Sequence, residues 1–223
     1  MHFMRTHLNG NPYLGMFASC SDRLIVLPPG IPESRKRAIA NTLEVDTVTT
    51  TVAETELVGM FMAMNSNGAV LPQDATDNEI EALESADIRV SRLDSRFNAF
   101  GNLILANDEG AVVDSMYTDH EEELISRVLD VDVVEGCVNG LAIVGSLACA
   151  NSLGVLASPK VEEEEVKLIK DTLKVEVGRG TANFGVEYVG TCILANSNGV
   201  AAGQPTTGIE MGKIEQVFEG DIW

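Results

Sequence analysis

The chain repeats itself, and that constrains it more than anything else in the sequence. Gly15, Gly59, Gly101, Gly145 and Gly190 recur at intervals of 44, 42, 44 and 45 residues. From the last four of these anchors the text runs in parallel: Gly59-Met-Phe-Met-Ala-Met-Asn65-Ser-Asn-Gly68, Gly101-Asn-Leu-Ile-Leu-Ala-Asn107-Asp-Glu-Gly110, Gly145-Ser-Leu-Ala-Cys-Ala-Asn151-Ser-Leu-Gly154, Gly190-Thr-Cys-Ile-Leu-Ala-Asn196-Ser-Asn-Gly199. Asn stands six residues and Gly nine residues after each of these anchors, while Ser21 and Leu24 hold those places in the first copy. Self-similarity at this period marks a supersecondary unit that buries its apolar faces by stacking on its neighbours.

Elementary stereochemistry turns each copy into elements. A short apolar run meets Asn-x-x-Gly, a hairpin signal in which Asn bonds its own backbone and Gly is expected to accept a positive φ. A second apolar segment follows. Thr76, Thr118 and Thr207 then stand seventeen residues after their anchors, each with Glu three residues later: Glu79, Glu121 and Glu210. That is capping-box spacing. The fourth copy opens its helix with Ser158-Pro-Lys and the run Glu162 to Glu165, which suits a helix N-terminus, and Pro32 holds the place in the first. Helical spacing of Leu124, Ile125, Val128 and Leu129, or of Val166, Ile169 and Leu173, predicts helices of about ten residues. A last strand ends each unit: Val45-Asp-Thr-Val, Ile88-Arg-Val, Val131-Asp-Val-Val and Val175-Glu-Val.

The unit is therefore ββαβ, and the fold class is α/β. The fifth copy stops at Trp223, soon after its helix (Met211 to Phe218), and lacks a last strand. Phe3-Met-Arg-Thr lies the right distance upstream to supply it, which predicts a closed ring with no open sheet edge between first and last copies. Residues 1–223 are expected to form one domain, with repeats at 15–58, 59–100, 101–144, 145–189 and 190–223 plus 1–14.

Charge limits the partners. With 15 Lys+Arg against 34 Asp+Glu the net charge is −19, which repels phosphate at long range. Sequence-independent nucleic-acid binding, DNA included, and anionic membranes are disfavoured, and a basic protein or a cationic small molecule is the natural partner. The uncharged run from Gly136 to Pro159 carries Asn139, Ser146, Asn151 and Ser152 and divides between two short strands, so it does not read as a spanning helix. No export signal is visible at the N-terminus. A cytoplasmic monomer without cofactor or metal is expected.

A five-fold ring of this kind resembles in architecture the guanidine-modifying enzymes such as arginine deiminase, which use a Cys nucleophile, a His and paired carboxylates. Cys20 aligns with Met64, Ala106, Ala150 and Ala195, and Cys149 and Cys192 fall at or beside Ala63, Leu105 and Leu103. These are small or apolar strand positions, which predicts buried core thiols. Cys137 completes the four, with no CxxC pair, and neither His2, His7 nor His120 neighbours a Cys or shows ligand spacing. No phosphate-binding loop or nucleophile elbow is present. Arg89, Arg92 and Arg96 form the one local excess of positive charge and read as solvated strand-edge arginines.

Arg96-Phe-Asn-Ala-Phe-Gly-Asn102 followed by Ala106-Asn-Asp-Glu-Gly110 resembles the signature stretch of the archaeal and eukaryotic translation initiation factor 6 family. Leu14-Gly-Met-Phe17, Asn65-Ser-Asn-Gly-Ala-Val-Leu-Pro72 and Gly190 through Gly199 are similar too, and the likeness spans the chain. The resemblance implies a pentein-like propeller of five ββαβ units that binds the large ribosomal subunit at its intersubunit face. The contact implied is a ribosomal protein beside the sarcin–ricin loop, with ribosomal RNA nearby, and the bound factor blocks small-subunit joining and accompanies late subunit maturation. Gly15 and Asn107 match positions on the family's ribosome-contacting face, and Asn65 and Arg96 complete the candidate set. The C-terminal tail with regulatory serines found in eukaryotic members has no counterpart here. A guanidine-modifying enzyme is the alternative reading.

Overall fold

The structure, a computed structural model, describes residues 1–220. Among these residues fifteen strands assemble into five three-stranded sheets, all built alike. In the second unit, Ala63–Met64 runs antiparallel to Gly68–Pro72, and Arg89–Leu93 then adds in parallel, from Gly68↔Arg89 to Pro72↔Leu93. Parallel pairing needs a crossover, and the helix Asp77–Glu84 supplies it. The fifth sheet takes its third strand from the other end of the chain: His2–Thr6 pairs in parallel with Gly199–Gly203. The ring closes as the truncated fifth copy implied.

Each unit leaves its sheet uncovered on one side, and the next unit covers it. Helix Asp119–Leu129 packs on Gly68–Pro72 and Arg89–Leu93, Glu163–Leu173 on Gly110–Val113, Gly208–Phe218 on Gly154–Ala157, and Glu33–Leu43 on Gly199–Gly203. The core accordingly sits in sectors at these joints. Val70 and Leu93 of one unit meet Ile125 and Leu129 of the next, all at most 2% exposed. Leu156 meets Ile214 and Phe218 in the same way. No unit can bury its own apolar faces, so the ring holds together as a circle or not at all.

The structure explains one set of glycines and corrects the reading of the other. The anchors lie in one-turn helices that precede the first strands: Leu14–Phe17, Val58–Phe61, Phe100–Leu103, Val144–Leu147 and Val189–Cys192. These turns circle the axis in backbone contact. A Cβ on Gly101 would lie 1.8 Å from the Gly59 carbonyl oxygen, one on Gly145 2.2 Å from that of Gly101, and one on Gly190 1.9 Å from that of Gly145. Gly15 stands 1.9 Å from Gly190 O by the same measure, and Gly59 2.2 Å from Gly15 O, which closes the circle.

The turn glycines correct the sequence reading. Gly68, Gly110, Gly154 and Gly199 are not among the positive-φ residues. They are glycines because a helix of the following unit passes over them: a Cβ would meet the carbonyl oxygens of Val128 at 2.2 Å, Thr172 at 2.4 Å, Val217 at 2.5 Å and Thr42 at 1.9 Å. The helix starts at Thr76, Thr118 and Thr207 are capping boxes as expected. In the fourth unit Glu162, not Ser158, is the cap, and Glu165 reaches back to it. Pro32 caps the first helix with no side-chain bond.

Two glycine substitutions separate close approach from helix propensity. Gly101→Ala forces a methyl between two backbone carbonyls and is expected to cost about 3 kcal/mol or more, a melting-temperature loss of about 10 °C. Gly212, in the helix Gly208–Phe218, has nothing within 4 Å of its added Cβ. Gly212→Ala should gain about 0.5–1 kcal/mol. Thermal unfolding of both variants checks the contrast, and similar effects would sink the contact argument.

Candidate functional site: the two ends of the ring

The shared register gives the ring two unlike ends. At one end stand the Asn-x-x-Gly turns and the helix C-termini; at the other, the helix N-termini, the one-turn anchor helices and the loops before them. On the turn end each Asn works twice. The Oδ1 of Asn107 accepts from Glu109 N at 3.0 Å and Gly110 N at 3.1 Å, shaping its own turn as expected. Its Nδ2 donates to Asn151 O at 3.1 Å and Leu173 O at 2.9 Å, both in the next unit. Asn65 links in the same way to Asn107 O and Leu129 O, Asn151 to Asn196 O, and Asn196 to Ser21 O and Leu43 O. A carboxamide is the short side chain that offers both an acceptor and two donors, which is why Asn recurs here.

One joint lacks this link. Ser21 accepts from Arg23 N and Leu24 N but has no second arm. Arg23 closes the seam instead, through Ser66 O at 3.3 Å and Asp87 at 3.4 Å. The turn end is acidic: Asp22, Asp108 and Glu109 lie in the turns, and Glu44, Asp130 and Asp132 follow the helices. Asp108 and Asp22 also accept from the backbone of Ser66 and Ser197 in the preceding units.

The four candidate contact residues do not meet on one surface. Asn65 is 3% and Asn107 5% exposed, so these side chains organise the turn end rather than present themselves to a partner. Gly15 and Arg96 lie at the opposite end. Arg96 rests over the Phe97 ring, 4.7 Å from its centroid, and reaches Met116 O at 3.3 Å. Its neighbours in the arginine run serve elsewhere, Arg89 bonding Arg127 O and Arg92 pairing with Asp77 at 2.6 Å.

Thiol chemistry finds no machinery. Cys20 and Cys149 line an axial channel of about 100 Å³, where Cys20 donates to Ala195 O at 3.5 Å. Burial pushes both thiols up, Cys149 to about 12, so neither is a thiolate at neutral pH. Cys192, in a one-turn helix rather than the strand expected, is fully buried and pushed up to about 11, again by burial. Cys137 donates to Glu165 at 3.2 Å and is raised to about 11 by burial and then by that carboxylate. None of the four has a histidine among its hydrogen-bond partners. Among the described residues no group of three or more His, Cys, Asp or Glu stands placed to hold a metal.

The capping glutamates reach further than their spacing revealed. Glu79 accepts not only from Thr76 N but also from Thr51 Oγ1, Ala53 N and Glu54 N, which belong to the loop before it. Glu165 holds Cys137, Asn139 N and Gly140 N, and Glu210 holds Thr181, Phe184 N and Gly185 N. Burial works to raise these carboxyls, but the bonds they accept outweigh it and hold Glu79, Glu165 and Glu210 below the usual range. Glu121 follows, with Ser95, Thr118 and the nearby Arg96 opposing burial.

Two predictions follow from these geometries. Asn107→Ser and Asn196→Ser each remove two links between units and should each cost about 2 kcal/mol, while Asn151→Ser removes one and costs about half as much; thermal melts rank the three. A lowered folded-state pKa means stabilisation that is complete above the unfolded value of ~4.3 and is lost as pH falls below it. Denaturant midpoints should stay level from pH 7 to about 5 and fall below, less steeply in Glu79→Gln.

Comparison with known proteins places this architecture. A family profile described as the eIF-6 family matches residues 3–217. The chain is similar to translation initiation factor 6 of Pyrococcus horikoshii, 39% identical over 98% of this chain and 99% of that one. It is 36% identical to the protein of that name from Picrophilus torridus over 95% of this chain and 96% of the other, and 37% identical to that of Haloquadratum walsbyi over 96% of each. Among solved structures, the substrate-bound N-terminal domain of ArgZ, an arginine dihydrolase of cyanobacteria, aligns over 84% of this chain and 82% of its own at 12% identity and a TM-score of 0.49, values that carry no functional argument. The extent of the profile match and of the similarity to these factors shows that the chain belongs to the eIF-6 family.

Proposed function

We propose that the ring binds the large ribosomal subunit through its turn end, at the intersubunit face, and prevents small-subunit joining by occupying space. The observation that carries this reading is a face made rigid by the Asn links, on which exposed acidic residues group about one turn. Glu109, Asp130 and Asp132 surround the Asn107 turn and suit a basic ribosomal protein, which we place beside the sarcin–ricin loop with ribosomal RNA nearby. Asn65 and Asn107 serve this surface by holding its turns, and Gly15 and Arg96 serve it only through the fold. The chain works as one domain, a monomer in the cytoplasm, in late subunit maturation as well as initiation. It is not an enzyme: its thiols, of which Cys192 alone is buried and the other three half-buried, are held protonated and lack an imidazole partner, which speaks against guanidine chemistry.

Charge reversal tests the orientation. Glu109 and Asp132 are exposed and make no hydrogen bond to other side chains, so Glu109→Lys/Asp132→Lys should fold normally. Co-sedimentation with isolated large subunits should fall at least tenfold and the block on subunit joining should be relieved, with Arg96→Ala close to the parent. Loss of binding in Arg96→Ala alone would place the contact at the other end, and hydrolysis of arginine or agmatine by the purified parent would overturn the non-enzymatic reading.

A further inference from the structure

Four of the five joints at the anchor end are clasped by the protein's own carboxylate, and in three of them the arrangement of donors is the same. One carboxylate oxygen sits between a loop side chain and the second loop amide: Thr51 and Glu54 N for Glu79, Cys137 and Gly140 N for Glu165, Thr181 and Gly185 N for Glu210. The other sits between the first loop amide and the amide of the helix cap: Ala53 N and Thr76 N, Asn139 N and Glu162 N, Phe184 N and Thr207 N. These joints are an internal template for what the anchor-end loop binds.

The fifth joint, between loop Leu8–Asn11 and helix Glu33–Leu43, has the same backbone but inverted charge. Arg35 stands three residues after the cap, where the others have Glu79, Glu121, Glu165 and Glu210, and His7 stands where they have Thr51, Cys137 and Thr181. Gly10 N donates to His7 Nδ1 at 2.8 Å, and Arg35 Nη1 approaches the same nitrogen at 3.1 Å. Both groups are donors, so Nδ1 is placed as their acceptor. Asn9 N, whose counterparts Ala53 N, Asn139 N and Phe184 N all hold a carboxylate, has no protein acceptor among the described residues. The cap is Pro32, which has no N–H to offer; the Arg35 guanidinium stands nearby with donors to spare. Arg35 makes no ion pair among the described residues, in a chain with 34 Asp+Glu.

We propose that this joint is a recognition site for a carboxylate supplied by a partner, an Asp or Glu side chain in a peptide segment, which takes the place the protein's own glutamate holds at the other joints. One oxygen is received by Asn9 N–H and the other by the Arg35 fork, a charge-assisted pairing with planar directionality. The template is planar with two oxygens in every sister joint, which favours carboxylate over phosphate, and the net charge of −19 opposes an extended polyanion. A cavity of about 170 Å³ borders the same loop, lined by Leu8, Phe17, Pro28 and Ile31 with Asn9, and Glu56 also borders it. It has room for an apolar side chain next to the acidic one. The site lies on the end away from the Asn turns, so it stays open if the ring docks by its turn end. The inference does not rest on that docking.

The test is a backbone and Arg side-chain amide NMR titration of the full chain with a blocked Leu-Asp-Leu peptide, its Leu-Asn-Leu counterpart and inorganic phosphate. The acidic peptide should give saturable shifts confined to Asn9, Gly10 and the Arg35 Nε–H, with the amide peptide at least tenfold weaker. Arg35→Gln should abolish the response while leaving the rest of the spectrum in place. Arg35→Glu is the sharper variant: it rebuilds the sister clasp, so it should remove peptide binding and raise the melting temperature although it makes an acidic chain more acidic. Equal binding of both peptides, or shifts spread over all cationic residues, would overturn the site. Tighter binding of phosphate than of the acidic peptide would overturn the carboxylate assignment, and a lower melting temperature for Arg35→Glu would overturn the equivalence of the joints.

Discussion

Five glycines touching backbone to backbone around the axis set the dimensions of everything else. At a radius where each anchor glycine would carry its Cβ within 1.8–2.2 Å of its neighbour's carbonyl, no other residue fits. The one-turn helices that carry them start five hairpins that run to the turn end, and a helix fills the joint between successive sheets. Four of the helices then lie over the second strand of the preceding sheet, close enough to demand glycine again at Gly68, Gly110, Gly154 and Gly199. The two sets of glycines are one constraint met at two places, near the axis and at the helix seam. Apolar burial supplies the driving force, but it is the backbone contacts that decide how many units close the circle.

The local part of this architecture was legible in the residues, and the part that crosses joints was not. Thr76 with Glu79 or Asn107 with Gly110 are pairs three residues apart, and their chemistry is complete within one turn of chain. Hence the helix starts and the hairpins could be read directly, and the closing strand His2–Thr6 followed only from counting copies, since the fifth lacks the last strand that the other four carry. The second arm of Asn107, by contrast, ends on Asn151 O and Leu173 O, 44 and 66 residues away. Nothing within its own repeat distinguishes that donor from an ordinary turn residue. Gly110 was assigned a positive φ for the same reason: the contact that requires it comes from Thr172, in another unit. Arg96 and Asn107 are eleven positions apart and stand at opposite ends because a whole strand lies between them, a separation that proximity in the sequence concealed.

Repetition also hides what breaks it. A ring of five equal faces has five equal ways to dock, and a partner can choose among them only through departures from the consensus. In this chain those at the joints concentrate on the first unit. At the turn end it has Ser21 in place of Asn and closes its seam with Arg23. At the anchor end it has Arg35 in place of Glu and Pro32 in place of a side-chain cap.

These departures share a physical logic. A joint clasped by its own Asn or Glu has its donors and acceptors satisfied internally and offers little to a partner. Replacing Asn by Ser, or Glu by Arg, removes an internal bond and leaves groups that water or another molecule must satisfy, at a cost of about 1 kcal/mol per bond. The other joints are sealed strongly enough to hold the circle while one unit forgoes its links. That division of labour lets an otherwise symmetric ring carry a direction, with one flank of the first unit marked on the turn end and the other on the anchor end.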